Sequence, residues 1–495
     1  MYLLDLPAEL IQRIIKETIP ETFETVRLVC RTLNGAASLF LKQYLERRLR
    51  FRHIVIPGET HHHRVNSDNN AAATSFTSMD ELLWCIAQDP VIARYIQTAD
   101  FKGHRDQNTD LAAYEVNDQV RDLVHQSPYL SEAGVDPDAW LSHMSLTHDR
   151  EGYIQIFLLT LLPNVTTLAP GRFWSDWFED KIAHPKRRVM DAIVRKANSA
   201  SINGASLSKL ENLHPWAGSG YEDERWSLTA CSHFMALNSL RNLHAGSVIA
   251  RDDGYTGIPF RPLYGSFSPN LETIELFSSV MGRAEIVTLL QRTRNLQHFR
   301  LAHETKWHGC GYNWDVGASI AAIQDWVGNS LEELSITIEG FDINSEGTTL
   351  TDMTGFRKLK TLEIDLCLLC GPAYNKKTAR PEEDDDDPPS GEPAMIRLID
   401  VLPPTIESVS IHNLGLVMDE GQRKVLRKLI EGLDVNNCEQ LPNLKSVLFV
   451  KKAAPREPLA LFKEVTDAGC GIISKLEASP AWSLGFKERF GVPSS

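Results

Sequence analysis

Leu271-Glu272-Thr273-Ile274-Glu275-Leu276 and Leu296-Gln297-His298-Phe299-Arg300-Leu301 are two copies of one phrase, with apolar residues at the first, fourth and sixth places. Alternation between the fourth and sixth places is the period of a strand with one face buried. Working outward, the same phrase returns at Leu331 to Ile336, Leu359 to Ile364, Ile406 to Ile411 and Leu444 to Phe449. Shorter forms precede it at Val165 to Leu168, Leu210 to Leu213 and Leu240 to Leu243, each lacking a strong apolar sixth place. The first positions are separated by 45, 30, 31, 25, 35, 28, 47 and 38 residues.

Most phrases come after a turn-forming pair, such as Pro163-Asn164, Pro269-Asn270, Asn329-Ser330 or Pro442-Asn443. Between them lie stretches with helical patterning: 152–162, 284–293, 318–327, 395–402 and 423–433. Strand and helix alternating at this spacing predict an α/β fold in which parallel strands stand side by side with the helices outside. Residues alternating with the buried ones then share the other face of the sheet. Glu275, Arg300, Ser335, Glu363, Ser410 and Leu448 occupy equivalent places there and are the candidate substrate-binding row.

The chain opens differently. Leu6-Pro7-Ala8-Glu9-Leu10 places a proline and a carboxylate where a helix begins, and Leu10, Ile11, Ile14 and Ile15 continue it as an apolar face. Thr18 and Glu21 read as the capping box of a second helix. Its stripe runs through Val26, Val29, Cys30, Leu33, Ala37, Leu41 and Leu45, with a break expected at Asn34-Gly35. Leu28 lies off that stripe, which implies a second covered face. A module this short must share its apolar residues with a neighbouring domain or a partner.

The Leu-Pro-x-Glu-Leu opening joined to Val26-Arg27-Leu28-Val29-Cys30-Arg31-Thr32-Leu33-Asn34 resembles an F-box, over residues 3 to 45. It departs from many F-boxes in having no tryptophan between Gly35 and Leu45. The recurring phrases resemble degenerate leucine-rich repeats of the kind that large fungal families join to an F-box. The resemblance implies a small all-helical module over 1–48, a linker with possible first repeats over 49–150, an irregular solenoid with a curved parallel sheet over 151–450, and a C-terminal cap over 451–495. It also implies a substrate-recognition subunit of a cullin-type ubiquitin ligase. Leu6, Pro7, Leu10, Ile14, Leu28, Val29 and Leu33 would meet a Skp-type adaptor, and through it a cullin, while the repeats would hold an unknown target protein. Catalysis would then lie in other subunits. A leucine-rich-repeat scaffold that does not promote ubiquitination is the alternative. An enzyme whose site assembles only in three dimensions is a third reading.

Bulk properties narrow the classes. Among 495 residues, 65 acidic against 51 basic side chains give a net charge of −14, which disfavours a phosphate backbone as the main ligand. Eight scattered cysteines suit a reducing compartment, the cytosol or nucleus. No signal peptide is expected, and no stretch is apolar for long enough to predict a membrane role. Neither a Gly-Lys-Ser/Thr phosphate loop nor a Gly-x-Ser-x-Gly elbow is present, so no catalytic residue and no cofactor is assigned.

No metal site is expected either. Cys367-Leu368-Leu369-Cys370 has no second closely spaced pair to complete a zinc site and reads as two buried thiols. His303 and His308 stand five apart, which turns them about 140° around a helix instead of the about 40° that lets imidazoles converge. His61-His62-His63 reads as part of a solvated loop, and the acidic run within 376–393 as a disordered insertion. Asn164-Val165-Thr166 is formally a glycosylation acceptor and reads as a chance match.

Overall fold

The structure, a computed structural model, describes residues 3–56, 74–101, 116–146, 150–171, 184–199, 204–215, 226–251, 259–304, 314–338, 350, 352–370, 395–412, 420–433, 439–451, 472–476 and 482. They fall into two compact units, one of Met1–Pro215 with Leu237–Leu240 and the other of Trp216–Ala236 with Arg241–Ser495.

The first unit begins with three helices. Pro7 stands at the cap of α1 (Ala8–Glu17), where its missing N–H leaves nothing unpaired. The apolar face expected on α1 divides: Ile11 and Ile15 are buried, whereas Leu10 and Ile14 are exposed. Thr18 does not start a second helix. It closes the first, its hydroxyl donating to the Ile15 carbonyl at 2.6 Å. The chain then forms α2 (Phe23–Val29) and α3 (Arg31–Phe51), separated at Cys30 by an extended residue with φ −160° and ψ 166°. The break is therefore at Cys30 and not at Asn34-Gly35, which lie inside the continuous α3. Because helical phase resets at Cys30, Val29 points outward while Leu33, Ala37, Tyr44 and Phe51 form the buried stripe of α3.

That stripe ties the three helices to the next segment of the chain. Phe23 packs on Tyr44 with ring centroids 4.6 Å apart, Tyr44 on Tyr95 at 5.9 Å, and Phe51 on Phe76 at 6.4 Å. Helices and segment pack on one another and fall within one compact unit that runs on to Pro215. After α3 come β1 (His53–Val55) and β2 (Thr74–Ser75), then α4 (Met79–Gln88), α5 (Val91–Tyr95) and β3 (Thr98–Asp100). Next are α6 (Asp118–His125), α7 (Pro128–Ala133), α8 (Pro137–Leu146) and α9 (Arg150–Leu159). The unit ends with β4 (Thr167–Ala169), α10 (Pro185–Ala197) and β5 (Asn212–Leu213). Side chains of Ser78, Asn117 and Ser127 accept from backbone N–H groups at the starts of α4, α6 and α7, which fixes where those helices begin. The strands form a parallel sheet in the order β2-β1-β3-β4-β5.

Gly171, two residues past β4, sits in a space with no room for a side chain. A Cβ there would stand 2.5 Å from the Phe101 carbonyl oxygen and 3.3 Å from the Gln155 amide. Backbone cannot retreat as a flexible side chain can. Gly171→Ala is expected to destabilise this unit by about 1–3 kcal/mol, read as a lowered unfolding midpoint in urea.

In the second unit, β6 (Trp226–Ser227) pairs with β8 (Val248–Ile249), and the short α11 (Ser232–Met235) and β7 (Asn242–Gly246) lie between them in sequence. The chain continues through β9 (Thr273–Ser279), α12 (Arg283–Leu290), β10 (His298–His303), α13 (Val316–Val327), β11 (Glu333–Ile338), β12 (Thr361–Asp365), α14 (Leu366–Cys370), α15 (Leu398–Val401), β13 (Ser408–His412), α16 (Glu420–Leu429), β14 (Ser446–Lys451) and β15 (Ile472–Leu476). Eight strands, β7 and β9 through β15, form a parallel sheet in unbroken chain order. Every recurring phrase of the sequence supplies one strand, in the two units together. Its apolar places are fully buried, as at Leu271, Ile274 and Leu276 or Leu296, Phe299 and Leu301, and Ile286, Leu289 and Leu290 of α12 are buried as well. A mixed α/β chain with parallel strands is what results.

The helix expected near 459–466 and the acidic run of 376–393 lie outside the described residues. β15 adds one strand beyond β14, and six residues later Trp482 lies on the sheet face that carries Glu275. Among the described residues no helix is long and apolar enough to cross a membrane.

Candidate functional site

The three N-terminal helices hold most of the large apolar side chains left open. Of eleven such exposed residues among those described, Leu3, Leu10, Ile14, Leu28, Val29, Leu39, Leu45 and Leu49 belong to this segment. Leu28 is 86% and Val29 67% exposed, values unusual for branched aliphatic residues held in a helix. The helices that carry them are tied to one another and to the segment that follows by charge pairs. Arg47 meets Asp89, Arg48 meets Glu24, and Arg94 grips Glu21 at 2.5 and 2.9 Å.

Glu21 also accepts from the Asn164 amide at 2.9 Å. Its burial opposes ionisation, but the hydrogen bonds from Arg94 and Asn164 prevail and hold the carboxyl below the ordinary glutamate range. Asn164 is itself buried and further engaged, donating to the Arg94 carbonyl at 2.7 Å and accepting from Lys209 at 2.7 Å. The formal glycosylation acceptor is a structural amide.

Of the seven residues expected to meet an adaptor, Pro7, Leu10, Ile14, Leu28 and Val29 are exposed and Leu6 is half-buried. Leu33 must be removed from the set. It is 5% exposed and belongs to the module's own core, because the chain turns at Cys30 and swings α3 inward at that point. Sequence reasoning does not find Leu39 and Leu49, since a stripe extended through Cys30 puts the wrong side of α3 outward.

The candidate substrate-binding row lies at one register level of the sheet. Glu275 pairs with Arg300, Arg300 with Ser335, Ser335 with Glu363, Glu363 with Ser410, and Ser410 with Leu448. His244 extends the row by one strand. It is not an open row, however. Glu275, Ser335 and Ser410 are buried, and Arg300, Glu363 and Leu448 are half-buried. Glu275 is bonded to the His244 ring on one side and to Arg300 at 2.5 Å on the other, and Arg300 reaches on to Glu333 at 2.5 Å. Burial works against the Arg300 charge, but the two glutamates outweigh it and hold the guanidinium above its ordinary pKa. These charges satisfy one another, so they act as internal ties before they act on any ligand.

The remaining cysteine and histidine candidates divide. Cys367 and Cys370 are buried in α14 as thiols outside any disulfide, and burial pushes Cys370 up to about 12, as it does Cys231. Among the described residues no group of three or more His, Cys, Asp or Glu is placed to hold a metal ion. His61-His62-His63 and His308 lie outside the described residues, while His303 is buried and stacked on Trp314 at 4.2 Å.

The thiols give stability a pH dependence. Cys231 and Cys370 both have folded pKa values raised above the ordinary 9.0, so the stability they contribute is complete below pH 9 and declines as pH rises toward about 12, where the unfolded chain ionises first. Urea midpoints should hold between pH 8 and 9 and fall from there to pH 11. Cys231→Ala with Cys370→Ala should flatten that fall.

No family model matches this chain, and no curated protein matches it.

Proposed function

We propose that the chain is a substrate receptor of a cullin-type ubiquitin ligase, with α1–α3 as an F-box docked on a Skp-type adaptor and the later strands as leucine-rich repeats that hold a target protein. The observation that carries the reading is the gathering of exposed aliphatic side chains on these three helices, in a chain whose other apolar phrases are buried. Such a surface costs solubility when bare and stabilises a complex when covered. The sequence motifs fall on it: Leu10 and Ile14 from the first motif and Leu28 and Val29 from the second are all outward.

Charge supports the same partner class. Residues 1–52 hold nine Lys and Arg against six Asp and Glu, in a chain with a net charge of −14. The module therefore favours an acidic protein surface, and steering by that contrast weakens as salt is raised. In this role the protein needs no nucleophile. It raises the effective concentration of a target lysine near the ubiquitin-charged enzyme held by the cullin.

The test is affinity purification of the intact chain beside the chain carrying Leu28→Asp and Val29→Asp, two changes at exposed side chains. The intact chain should recover adaptor and cullin together, and target turnover should depend on those residues. Recovery of adaptor without cullin, or equal turnover by both chains, would favour a repeat scaffold that does not promote ubiquitination.

A further inference from the structure

Trp482 occupies a fitted slot on the sheet of the second unit. Its ring stands edge-on to Phe277, with centroids 6.3 Å apart and planes at 78°, and Phe277, Ala302 and Trp482 form one buried cluster. Its indole Nε1–H donates to Ser335 Oγ at 2.7 Å. Ser335 has a single proton, and that proton is directed to Glu363 Oε2 at 3.2 Å. The hydroxyl is thereby fixed as an acceptor toward the slot, so the site is selective for an aromatic ring that carries a donor.

Phe277, Ala302 and Ser335 sit on three neighbouring parallel strands, β9, β10 and β11; β10 and β11 pair residue for residue through Ala302 and Thr337, while the β9–β10 register shifts between Leu301 and His303, at the slot itself. The slot is thus built by the sheet. Beside it, Thr337 pairs in register with Ala302, and its buried hydroxyl has no hydrogen-bond partner among the described residues. Trp482 fills the ring site and leaves that hydroxyl unserved.

We infer that this slot is a recognition site for a tryptophan-bearing peptide segment of another protein, and that Trp482 is its intramolecular occupant. A competing peptide would place its indole against Phe277, give its N–H to Ser335 and bring a backbone or side-chain polar group to Thr337. The last contact is one that the resident tryptophan does not make. The inference goes beyond adaptor docking and stands whether or not α1–α3 bind an adaptor.

The probe is a fluorescent peptide with the sequence of residues 477–486, which contains Trp482 and no other tryptophan. Its anisotropy is followed on titration with the full chain. The Trp482→Ala chain, with its slot vacated, should bind the peptide at least about 10-fold more tightly than the wild-type chain does. A peptide with phenylalanine in place of tryptophan should lose most of that gain, as should the chain carrying both Trp482→Ala and Ser335→Ala. Equal binding by the wild-type and Trp482→Ala chains, or binding indifferent to the indole, overturns the inference. If Trp482→Ala prevents folding, Trp482→Phe keeps a ring against Phe277 and removes only the donor. That chain should then take up the peptide more readily than wild type, and equal uptake again overturns the inference.

Discussion

Changing Leu28 and Val29 together to aspartate is expected to weaken capture of the proposed adaptor at least about 100-fold, while the folded chain keeps its melting temperature to within about 2 °C. Both side chains stand in solvent, 86% and 67% exposed, so a carboxylate there breaks no internal contact. In a complex the same two carboxylates would be buried without partners, a cost of several kcal/mol that no rim contact offsets. Leu33→Asp supplies the contrast. Little more than one helical turn farther along the chain, it is buried and should unfold the module outright. Pull-down with purified adaptor, paired with thermal unfolding monitored by circular dichroism, separates the two outcomes. If the Leu28 and Val29 changes also unfold the chain, those residues are core and the docking surface lies elsewhere. If capture persists in a folded chain, α2 is not part of it.

The second large effect concerns the charge row. Arg300→Leu should destabilise the second unit by about 2–4 kcal/mol, because it takes the guanidinium away from the buried Glu275 carboxylate. The figure is set somewhat below that of a fully buried pair, since the Arg300 side chain is 25% exposed. Glu275→Leu together with Arg300→Leu should recover most of the loss, since the double variant no longer buries the carboxylate without its guanidinium. A four-point cycle of urea midpoints decides this. A sum of single effects equal to the double effect would mean that the two groups do not act as a pair. One consequence is practical: reversing the charges of Glu275, Arg300 and Glu363, the natural sequence-based test of target capture, would unsettle the sheet before it reported on recognition.

Much of the second unit is legible because its signals are local. An apolar phrase alternating at period two and succeeded by a helical stretch specifies strand and helix without reference to anything distant, and each phrase forms a strand. Even the register of Glu275, Arg300, Ser335, Glu363, Ser410 and Leu448 comes from equivalent places in equivalent phrases. What stays hidden is set by partners far along the chain. The break at Cys30 carries no glycine or proline, and the Asn34-Gly35 pair that does look like a break stays helical. Glu21, four residues after α1 ends, takes its role from Arg94 and Asn164. Trp482 reaches Ser335 across a separation of 147 residues, and nothing near either residue announces it. The burial of the candidate row is invisible in the sequence for the same reason.

A sheet whose strands run in chain order has a kinetic side. In the second unit each strand from β10 to β14 pairs, among the described residues, with the strand before it and the strand after it in the chain, so each closure along the sheet is local and the sheet can assemble by successive addition from any seeded pair. Opening should run the same way in reverse. Amide protons of Ile472–Leu476 at the end of the sheet would exchange with solvent long before those of β10 and β11 in its middle, giving a graded profile along the sequence where a barrel closed on itself would release all its strands together.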